Sequence, residues 1–220
     1  MKTFSKSKSL RYAGNRVKLF SIPEFLTFTI REFNLDSVNL ICKINNKFSN
    51  HIVAIRSSAK DEDTKNNSAA GEYESVLNIP SDNTERIIES INIVIASYEK
   101  KRQLLSDDEV IIQEMVKNPT MSGVIFTHDL NTGAPYYVIN YDDQSGTTDT
   151  VTSGNGEYAN RTLYIHRNSI GKLRSERFIK LLQAVQELEQ VMNSKFLDIE
   201  FALDENLTPY LLQVRAITTQ

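Results

Sequence analysis

The residues best suited to chemistry lie in a short basic and hydroxyl-rich stretch, Arg56-Ser57-Ser58. Hydroxyl and backbone groups of Ser- and Gly-rich segments bind phosphate oxygens when lysine or arginine side chains lie nearby. Lys6 and Gly71 are further candidates of the same types. The sequence therefore suggests phosphate binding, and no one of these residues is specific for that chemistry by itself.

A second polar group lies near the C-terminus, in two apolar-alternating runs on either side of Asp204-Glu205-Asn206. This pattern is typical of a β-hairpin. Because side chains alternate faces along a strand, a register that buries the apolar residues brings four polar residues together: Asp198, Glu200, Gln213 and Arg215. Carboxylates facing bound phosphates hold the Mg²⁺ that bridges them, whereas a solvated outer face would show the same alternation.

Several other catalytic patterns are absent from the sequence. It contains neither a G-x-x-x-x-G-K-[ST] nor a G-x-G-x-x-G segment. The 3 histidines lack metal-ligand spacing, and the two serines after Arg56 have no evident histidine partner for a hydrolase. The single Cys42 excludes an internal disulfide framework and any multi-cysteine metal site.

Charge and composition restrict the class of protein. The net charge of −3 gives no general attraction to nucleic acids or anionic membranes. The basic N-terminus lacks the apolar run of a signal peptide, and no apolar stretch reaches the roughly 18 residues of a membrane helix. We therefore expect a soluble, cytoplasmic protein of one large or two small domains, without a nucleic-acid or membrane partner.

Hydrophobic periodicity predicts an α+β protein whose strands are mostly joined as hairpins. Helices are predicted from Pro23 through Phe33 and over Asp36–Lys47, Glu85–Leu105 and Arg174–Ser194. Strands are predicted over His51–Ile55, Ala69–Leu77, Val110–Val116, Gly123–Thr127, Tyr136–Tyr141 and Arg161–His166, ahead of the closing hairpin. The polar segments Lys60–Ser68 and Asp142–Asn160 are predicted to be loops.

The same stretches form an ordered series of motifs. They read V-A-I-R-S-S-A at 53–59, V-I-I-Q-E-M-V at 110–116, S-G-V-I-F-T at 122–127, D-I-E-F-A at 198–202 and L-Q-V-R-A-I-T at 212–218. In this order they resemble the nucleotide-binding domain of the phosphoenolpyruvate synthase and pyruvate phosphate dikinase family, a domain that the rifampin phosphotransferases share.

The resemblance implies an ATP-grasp fold, in which two α+β subdomains with largely antiparallel sheets close on ATP. It implies a division into residues 1–105, with the phosphate-contacting lysine and arginine, and residues 106–220, with the adenine hinge and the metal-binding hairpin. A phosphohistidine domain and an acceptor domain would then lie outside this chain, in a longer polypeptide or a partner subunit.

Roles for individual residues also follow from the resemblance. Lys6 and Arg56 would contact the phosphates of ATP, and Arg215 would neutralise the charge that develops on them, which makes these three the expected catalytic residues. Glu200 and Gln213 would hold Mg²⁺. The residues expected to bind ATP are Lys6, Arg56, Ser57, Ser58, Gly71, Gln113, Glu114, Met115, Val116, Gln213 and Arg215.

Plainer interpretations of these residues stay open. Lys6 would otherwise be a solvated lysine, and Arg56 would form an ion pair with a loop acid such as Asp61. Residues 114–116 would otherwise be an ordinary core strand.

The chain departs from the family pattern in two motifs. Phe4 and Ser5 replace the glycines of the family's G-G-K-x-x-N-L start. The family's G-L-G-E-x-V-V-S-G loop appears here as Gly146–Gly154, with Thr148 for the central glycine and Asp149 for the glutamate. These changes favour a divergent branch with a different phosphoryl acceptor.

The resemblance thus implies an ATP-dependent phosphotransferase. Mg-ATP would pyrophosphorylate or phosphorylate a histidine on a separate domain, for later transfer to a small acceptor. The acceptor we expect is the amide of L-glutamine, in capsule phosphoramidate biosynthesis, with release of AMP and phosphate. The alternatives are a phosphoenolpyruvate synthase, a rifampin-type antibiotic phosphotransferase and a nucleotide-binding module without catalysis.

Overall fold

A computed structural model describes residues 5–59, 73–148 and 161–217. The helices are α1 (Lys6–Gly14), α2 (Ile30–Leu35), α3 (Ser37–Lys47), α4 (Thr84–Glu99) and α5 (Glu176–Met192), with a 3₁₀ helix over Arg167–Lys172. The strands are β1 (Phe25–Thr29), β2 (Ile52–Ser58), β3 (Ser75–Pro80), β4 (Glu109–Glu114), β5 (Met121–Phe126), β6 (Tyr136–Asp142), β7 (Arg161–His166), β8 (Leu197–Leu203) and β9 (Pro209–Ala216).

The chain divides into two compact units. Of the described residues, the first unit contains 5–7 and 23–115, and the second contains 8–22 and 116–217. The sequence prediction placed the division at 105/106. The difference arises because β4 pairs with β1 and β2 and so belongs to the first unit.

The first unit is an antiparallel sheet with helices on one face. Its strand order is β1-β4-β2-β3. Alternate residues such as Val53, Ile55 and Ile112 face a core to which α2, α3 and α4 contribute apolar side chains. Their neighbours Ala54, Arg56 and Ser58 therefore point to the opposite face of the sheet.

The second unit is built on a second antiparallel sheet, in the order β7-β6-β5-β8-β9. α5 packs against it with a continuous apolar side that includes Leu181, Val185 and Leu188, each fully buried. Phe178 of α5 contacts Tyr141 of β6 edge-on. In the part of the chain that the structure describes, no helix is long and apolar enough to cross a membrane.

Most predicted elements are confirmed, including β4 to β7, the long helix α5 and the closing hairpin. The predicted helix from Pro23 through Phe33 is wrong in its first half. Residues 25–29 form strand β1, which pairs with β4 and places Leu26 and Phe28 against the core. A capping box between Thr29 and Glu32 then starts α2 at Ile30.

Helix α4 is shorter than predicted, because it ends at Glu99 rather than near Leu105. Its last fully buried residue is Tyr98. Beyond it, Arg102 turns back to form a two-point ion pair with the buried carboxylate of Asp108, at 2.8 and 3.0 Å. This ion pair, rather than a further helical turn, holds the segment that follows Glu99 in place.

Gly123 in β5 lies where no side chain fits. A Cβ atom built there would lie 2.0 Å from the carbonyl oxygen of Asn140 on the neighbouring strand β6. Such a distance is far inside van der Waals contact, so the close approach of the two strands requires glycine.

Candidate functional site

The Arg56-Ser57-Ser58 stretch occupies the end of the inner strand β2. Arg56 lies opposite Ile111 of β4, on the face of the sheet away from the helices. Ser57 and Ser58 are fully buried. The Nζ atom of Lys6, 51 residues away in sequence, donates a hydrogen bond to the Ser57 hydroxyl at 3.3 Å. The fold thus brings two predicted phosphate-binding regions together within the first unit.

The first turn of α1 reaches this strand end through Ser7. Its backbone N–H donates to the Ser58 hydroxyl at 3.1 Å. Its own hydroxyl donates to the carboxylate of Glu109, the first residue of β4. The hydroxyls of Ser5 and Ser7 lie 3.1 Å apart. Sequence analysis missed Ser7 and Glu109, because 102 residues separate them.

Tyr98 of α4 holds the ends of β2 and β4 together from the core. Its hydroxyl accepts a hydrogen bond from the backbone N–H of Ser58 at 2.8 Å. The same hydroxyl donates to the backbone carbonyl of Glu109 at 2.7 Å. A single buried hydroxyl therefore satisfies one backbone donor and one backbone acceptor where the two strands end.

The predicted adenine-binding residues form the other end of β4. Gln113 is buried, opposite Phe25 of β1 and Ala54 of β2. The backbone N–H of Glu114 donates to the carbonyl of Glu24 at 2.8 Å, and that of Met115 donates to the carbonyl of Ile52 at 2.9 Å.

The side chain of Glu114 extends from this end of the strand. Its carboxylate lies 3.5 Å from Nδ1 of His51. Gln113, Glu114 and Met115 belong to the first unit, and the remaining predicted residue of the hinge, Val116, begins the second.

The C-terminal hairpin places its polar residues on one face as predicted, but a register shift between Glu200 and Phe201 interrupts the predicted alternation beyond them. Asp198 lies opposite Arg215, and Glu200 lies opposite Gln213. A guanidinium nitrogen of Arg215 forms an ion pair with the Asp198 carboxylate at 2.6 Å, with only 10% and 13% of the two side chains exposed. The four polar residues therefore share one face of the sheet, as the sequence predicts.

The residues present fit a magnesium site. Glu200 and Gln213 are cross-strand neighbours that offer a carboxylate and an amide oxygen, the hard ligands that Mg²⁺ prefers. The described residues contain no group of three or more His, Cys, Asp and Glu side chains that could hold a metal ion. A pair of protein oxygens is nevertheless sufficient where phosphates supply the other ligands, since Mg²⁺ is commonly bound by one or two carboxylates together with substrate phosphates.

The polar face continues across the sheet from the hairpin. Glu200 lies opposite Val124 of β5, Val124 lies opposite Asn140 of β6, and Asn140 lies opposite Thr162 of β7. The Thr162 hydroxyl donates to the Asn140 side-chain oxygen at 2.8 Å. Sequence analysis did not single out Asn140 or Thr162. The signal that identifies them is the same period of two that identified the hairpin.

A buried charged cluster lies on the opposite face of this sheet, against α5. The Tyr137 hydroxyl donates to the Glu189 carboxylate at 3.0 Å, and Arg167 binds that carboxylate with two nitrogens at 2.6 and 2.7 Å. Burial, reinforced by the charge of Glu189, raises the pKa of Tyr137 and keeps the phenol protonated as a donor. The cluster fastens α5 to the sheet.

Some predicted residues lie outside the described parts of the chain. These are Gly71, the loop acid Asp61, and residues 149–154 of the Gly146–Gly154 loop. The described residues at the start of that loop and just ahead of it are tied to the second sheet. The Ser122 hydroxyl donates to the carbonyl of Thr147 at 2.7 Å, and the Asp142 carboxylate accepts the N–H groups of Gln144 and Ser145 at 2.8 and 3.1 Å.

The sequence matches the family described as pyruvate phosphate dikinase, AMP/ATP-binding domain, over residues 21–154. A curated relative, the prodigiosin synthesizing transferase PigC of Serratia marcescens, is 27% identical over 208 residues. That alignment includes 76% of this chain and 23% of the relative, so the chain spans less than a quarter of the relative's length.

Solved structures support the fold. D-alanyl-alanine synthetase A of Vibrio cholerae aligns with a TM-score of 0.55 at 16% identity, over 97% of this chain and 55% of its own. D-alanine-D-alanine ligase of Helicobacter pylori aligns with 0.51 at 11% identity, over 99% and 52%. VanG D-Ala:D-Ser ligase of Enterococcus faecalis aligns with 0.51 at 12%, over 97% and 53%. These are ATP-grasp enzymes, and the predicted ATP-grasp fold is confirmed.

Proposed function

Because the chain belongs to the pyruvate phosphate dikinase AMP/ATP-binding domain family, we propose that it binds Mg-ATP and catalyses the phosphotransfer half of a dikinase-type reaction. The observation that carries this proposal is the pairing of Glu200 with Gln213 beside the Asp198–Arg215 ion pair. Two oxygen ligands and a cation on one strand face match what a magnesium-bound polyphosphate requires.

In the first unit, Lys6 and Arg56 bind phosphate oxygens in this proposal. The Nζ atom of the lysine donates to the hydroxyl of Ser57, the residue that follows Arg56 in β2. A lysine acts as a movable point charge, and an arginine offers a fixed fork of donors. Ser57, Ser58 and Gly71 add hydroxyl and backbone groups to this set, and residues 113–116 bind the adenine.

In the second unit, Glu200 and Gln213 hold Mg²⁺, which when bound neutralises the phosphate charge and orients the phosphoryl groups. Arg215 stabilises the negative charge that develops during transfer. Its guanidinium has five N–H donors, and one of its nitrogens forms the ion pair with Asp198 at 2.6 Å. In this proposal Asp198 orients Arg215 toward the phosphates.

The proposed phosphoryl acceptor is a histidine on a separate domain, with a small molecule as the final acceptor. The fraction of the PigC relative that the chain spans is consistent with such additional domains. The amide of L-glutamine, in capsule phosphoramidate synthesis, is our specific proposal for the final acceptor. Phosphoenolpyruvate synthesis and antibiotic phosphorylation are the alternatives within the family.

Calorimetric titration of the 220-residue chain with Mg-ATP tests the nucleotide site. We expect binding that Glu200→Ala weakens by at least about tenfold, because an oxygen ligand of the metal is lost. The matched control is Glu205→Ala, which removes an exposed carboxylate from the turn of the same hairpin. A folded wild-type chain that binds no nucleotide at millimolar concentration would refute the proposed function, and equal losses in both variants would refute the role of Glu200.

Product analysis with the proposed acceptor domain present, in the same polypeptide or as a partner subunit, tests the reaction. AMP with one free phosphate fits transfer of a pyrophosphoryl group to a histidine, followed by hydrolysis of its terminal phosphate, and ADP alone contradicts this pyrophosphoryl step. Arg56→Ala and Arg215→Ala should each abolish product while Lys8→Ala, at an exposed position, leaves it unchanged. Nucleotide binding without any product would establish the non-catalytic module instead.

A further inference from the structure

The hydrogen bonds around Ser7 have only one consistent direction. A serine hydroxyl carries one proton, and Glu109 in its ionised form only accepts. The Ser7 hydroxyl therefore spends its proton on the Glu109 carboxylate and accepts from the Ser5 hydroxyl 3.1 Å away. The Ser7 backbone N–H is used as well, since it donates to Ser58. The hydroxyl and the backbone N–H of Ser7 are thus both hydrogen-bonded at this strand end.

Glu109 also supplies a charge that α1 lacks. The first turn of α1 contains no acidic residue of its own. The N-terminal end of a helix carries partial positive charge, and a carboxylate nearby stabilises it. Glu109 supplies this carboxylate from the start of β4. The Tyr98 hydroxyl donates to the backbone carbonyl of Glu109 at 2.7 Å and so holds the Glu109 backbone in place. The carboxylate therefore belongs to strand β4, whose central residues are buried.

Lys6 is the residue between the two serines of this cluster. Ser5, Ser7, Ser57 and Ser58 are all at least nine-tenths buried. Once Ser7 is held on both its N–H and its hydroxyl, the Cα of Lys6 is fixed, and its side chain reaches the Ser57 hydroxyl at 3.3 Å.

We propose that Glu109 and Ser7 are positioning residues that seat the first turn of α1 and thereby direct Lys6 to the phosphate-binding end of β2. The inference rests on the proposed function for its role in nucleotide binding. Its geometric content, that Glu109 holds Lys6 in place, stands apart from any nucleotide.

Site-resolved acylation of lysines tests the geometric content in the nucleotide-free chain. Lys6 is partly buried and Lys8 is exposed, so wild-type Lys6 should react more slowly with acetic anhydride than Lys8. Ser7→Ala and Glu109→Ala should each bring the Lys6 rate up to that of Lys8. Glu109→Gln, which keeps an acceptor oxygen, should give a Lys6 rate between that of the wild type and that of Glu109→Ala. An unchanged Lys6 rate in folded Ser7→Ala and Glu109→Gln chains would overturn the proposal.

A mutant cycle with Lys6 tests the functional content. We expect Glu109→Ala to weaken Mg-ATP binding by about tenfold, as for the loss of a hydrogen bond to a charged group. In a Lys6→Ala background the same change should have less than about a twofold effect, because the residue it positions is gone. An undiminished loss in that background would overturn the proposal.

The two experiments separate the inference from the proposed function. A wild-type chain that binds no nucleotide refutes the proposed function, and the acylation rates still decide whether Glu109 and Ser7 hold Lys6. A chain that binds nucleotide with unaltered acylation in the variants retains the proposed function and refutes the inference.

Discussion

The β8–β9 hairpin and the first turn of α1 hold their charged groups by different means. In the hairpin, Arg215 meets Asp198 from 17 residues away, across two strands joined by a short turn. In the α1 turn, Lys6 meets Ser57 from 51 residues away, and Ser7 meets Glu109 from 102. The first arrangement follows from strand register, and the second follows from the docking of three separate segments.

This difference determines how each region tolerates change. A hairpin register is held by a ladder of backbone hydrogen bonds, so loss of one side chain leaves the others in place. The α1 turn is held by side chains that share partners, so losses there should be coupled. We therefore expect hairpin variants to separate stability from function, and α1-turn variants to affect both together.

The largest effect is expected from Gly123→Ala, which tests whether the sheet that carries the hairpin can be disrupted while the sheet beside the α1 turn stays intact. The new methyl group would collide with the backbone of β6, which makes a loss of about 4 kcal/mol in unfolding free energy reasonable. Hydrogen exchange should show β8 and β9 losing protection while β2 and β4 keep theirs. The control is Gly171→Ala, where a Cβ atom meets nothing within 4 Å. Equal losses from both would contradict the steric explanation.

The next effect is expected from Asp198→Ala, which leaves the buried guanidinium of Arg215 without its carboxylate. Breaking a buried ion pair costs about 3 kcal/mol, measurable by urea denaturation. The double variant Asp198→Leu with Arg215→Met should recover most of this loss, since apolar residues of similar volume replace buried pairs at little cost. Nucleotide binding should be lost in the double variant because Arg215 is absent, and retained binding would exclude Arg215 from the phosphate site.

A smaller effect is expected from Tyr98→Phe in the first unit, which tests whether the α1 turn depends on the end of β4. The change removes two hydrogen bonds to backbone groups, at Ser58 and Glu109, and should cost about 2 kcal/mol. Because Glu109 also holds Ser7, the same variant should weaken nucleotide binding. A stability loss with unchanged affinity would show that the α1 turn does not depend on the end of β4.

Much of the second unit is readable from sequence alone for a physical reason. A period of two over Asp198–Leu203 and over Gln213–Arg215, on either side of a short polar turn, places the polar side chains of both strands on one face. The individual cross-strand pairs and the register shift between Glu200 and Phe201 come from the structure. Asn140 and Thr162 could have been found by extending the same period across the sheet.

The first unit was harder to predict because its decisive contacts are distant in sequence. The resemblance identified Lys6 and Arg56, and nothing local marks Glu109 as a partner of Ser7. The error at β1 has a different origin. Apolar residues at 25, 28, 30 and 33 fit a helical period, whereas the capping box of Thr29 and Glu32 marks Ile30 as the true helix start.

Gly123 shows what a sequence fingerprint can record. It lies inside S-G-V-I-F-T, one of the motifs by which the chain resembles its family, and the structure explains it by the closeness of two strands. A relative that binds no phosphate would still need this glycine to keep β5 against β6. A match in such a motif therefore indicates a shared fold. Whether the reaction is also shared has to be judged from residues proposed to act on the substrate, such as Lys6, Glu200 and Arg215.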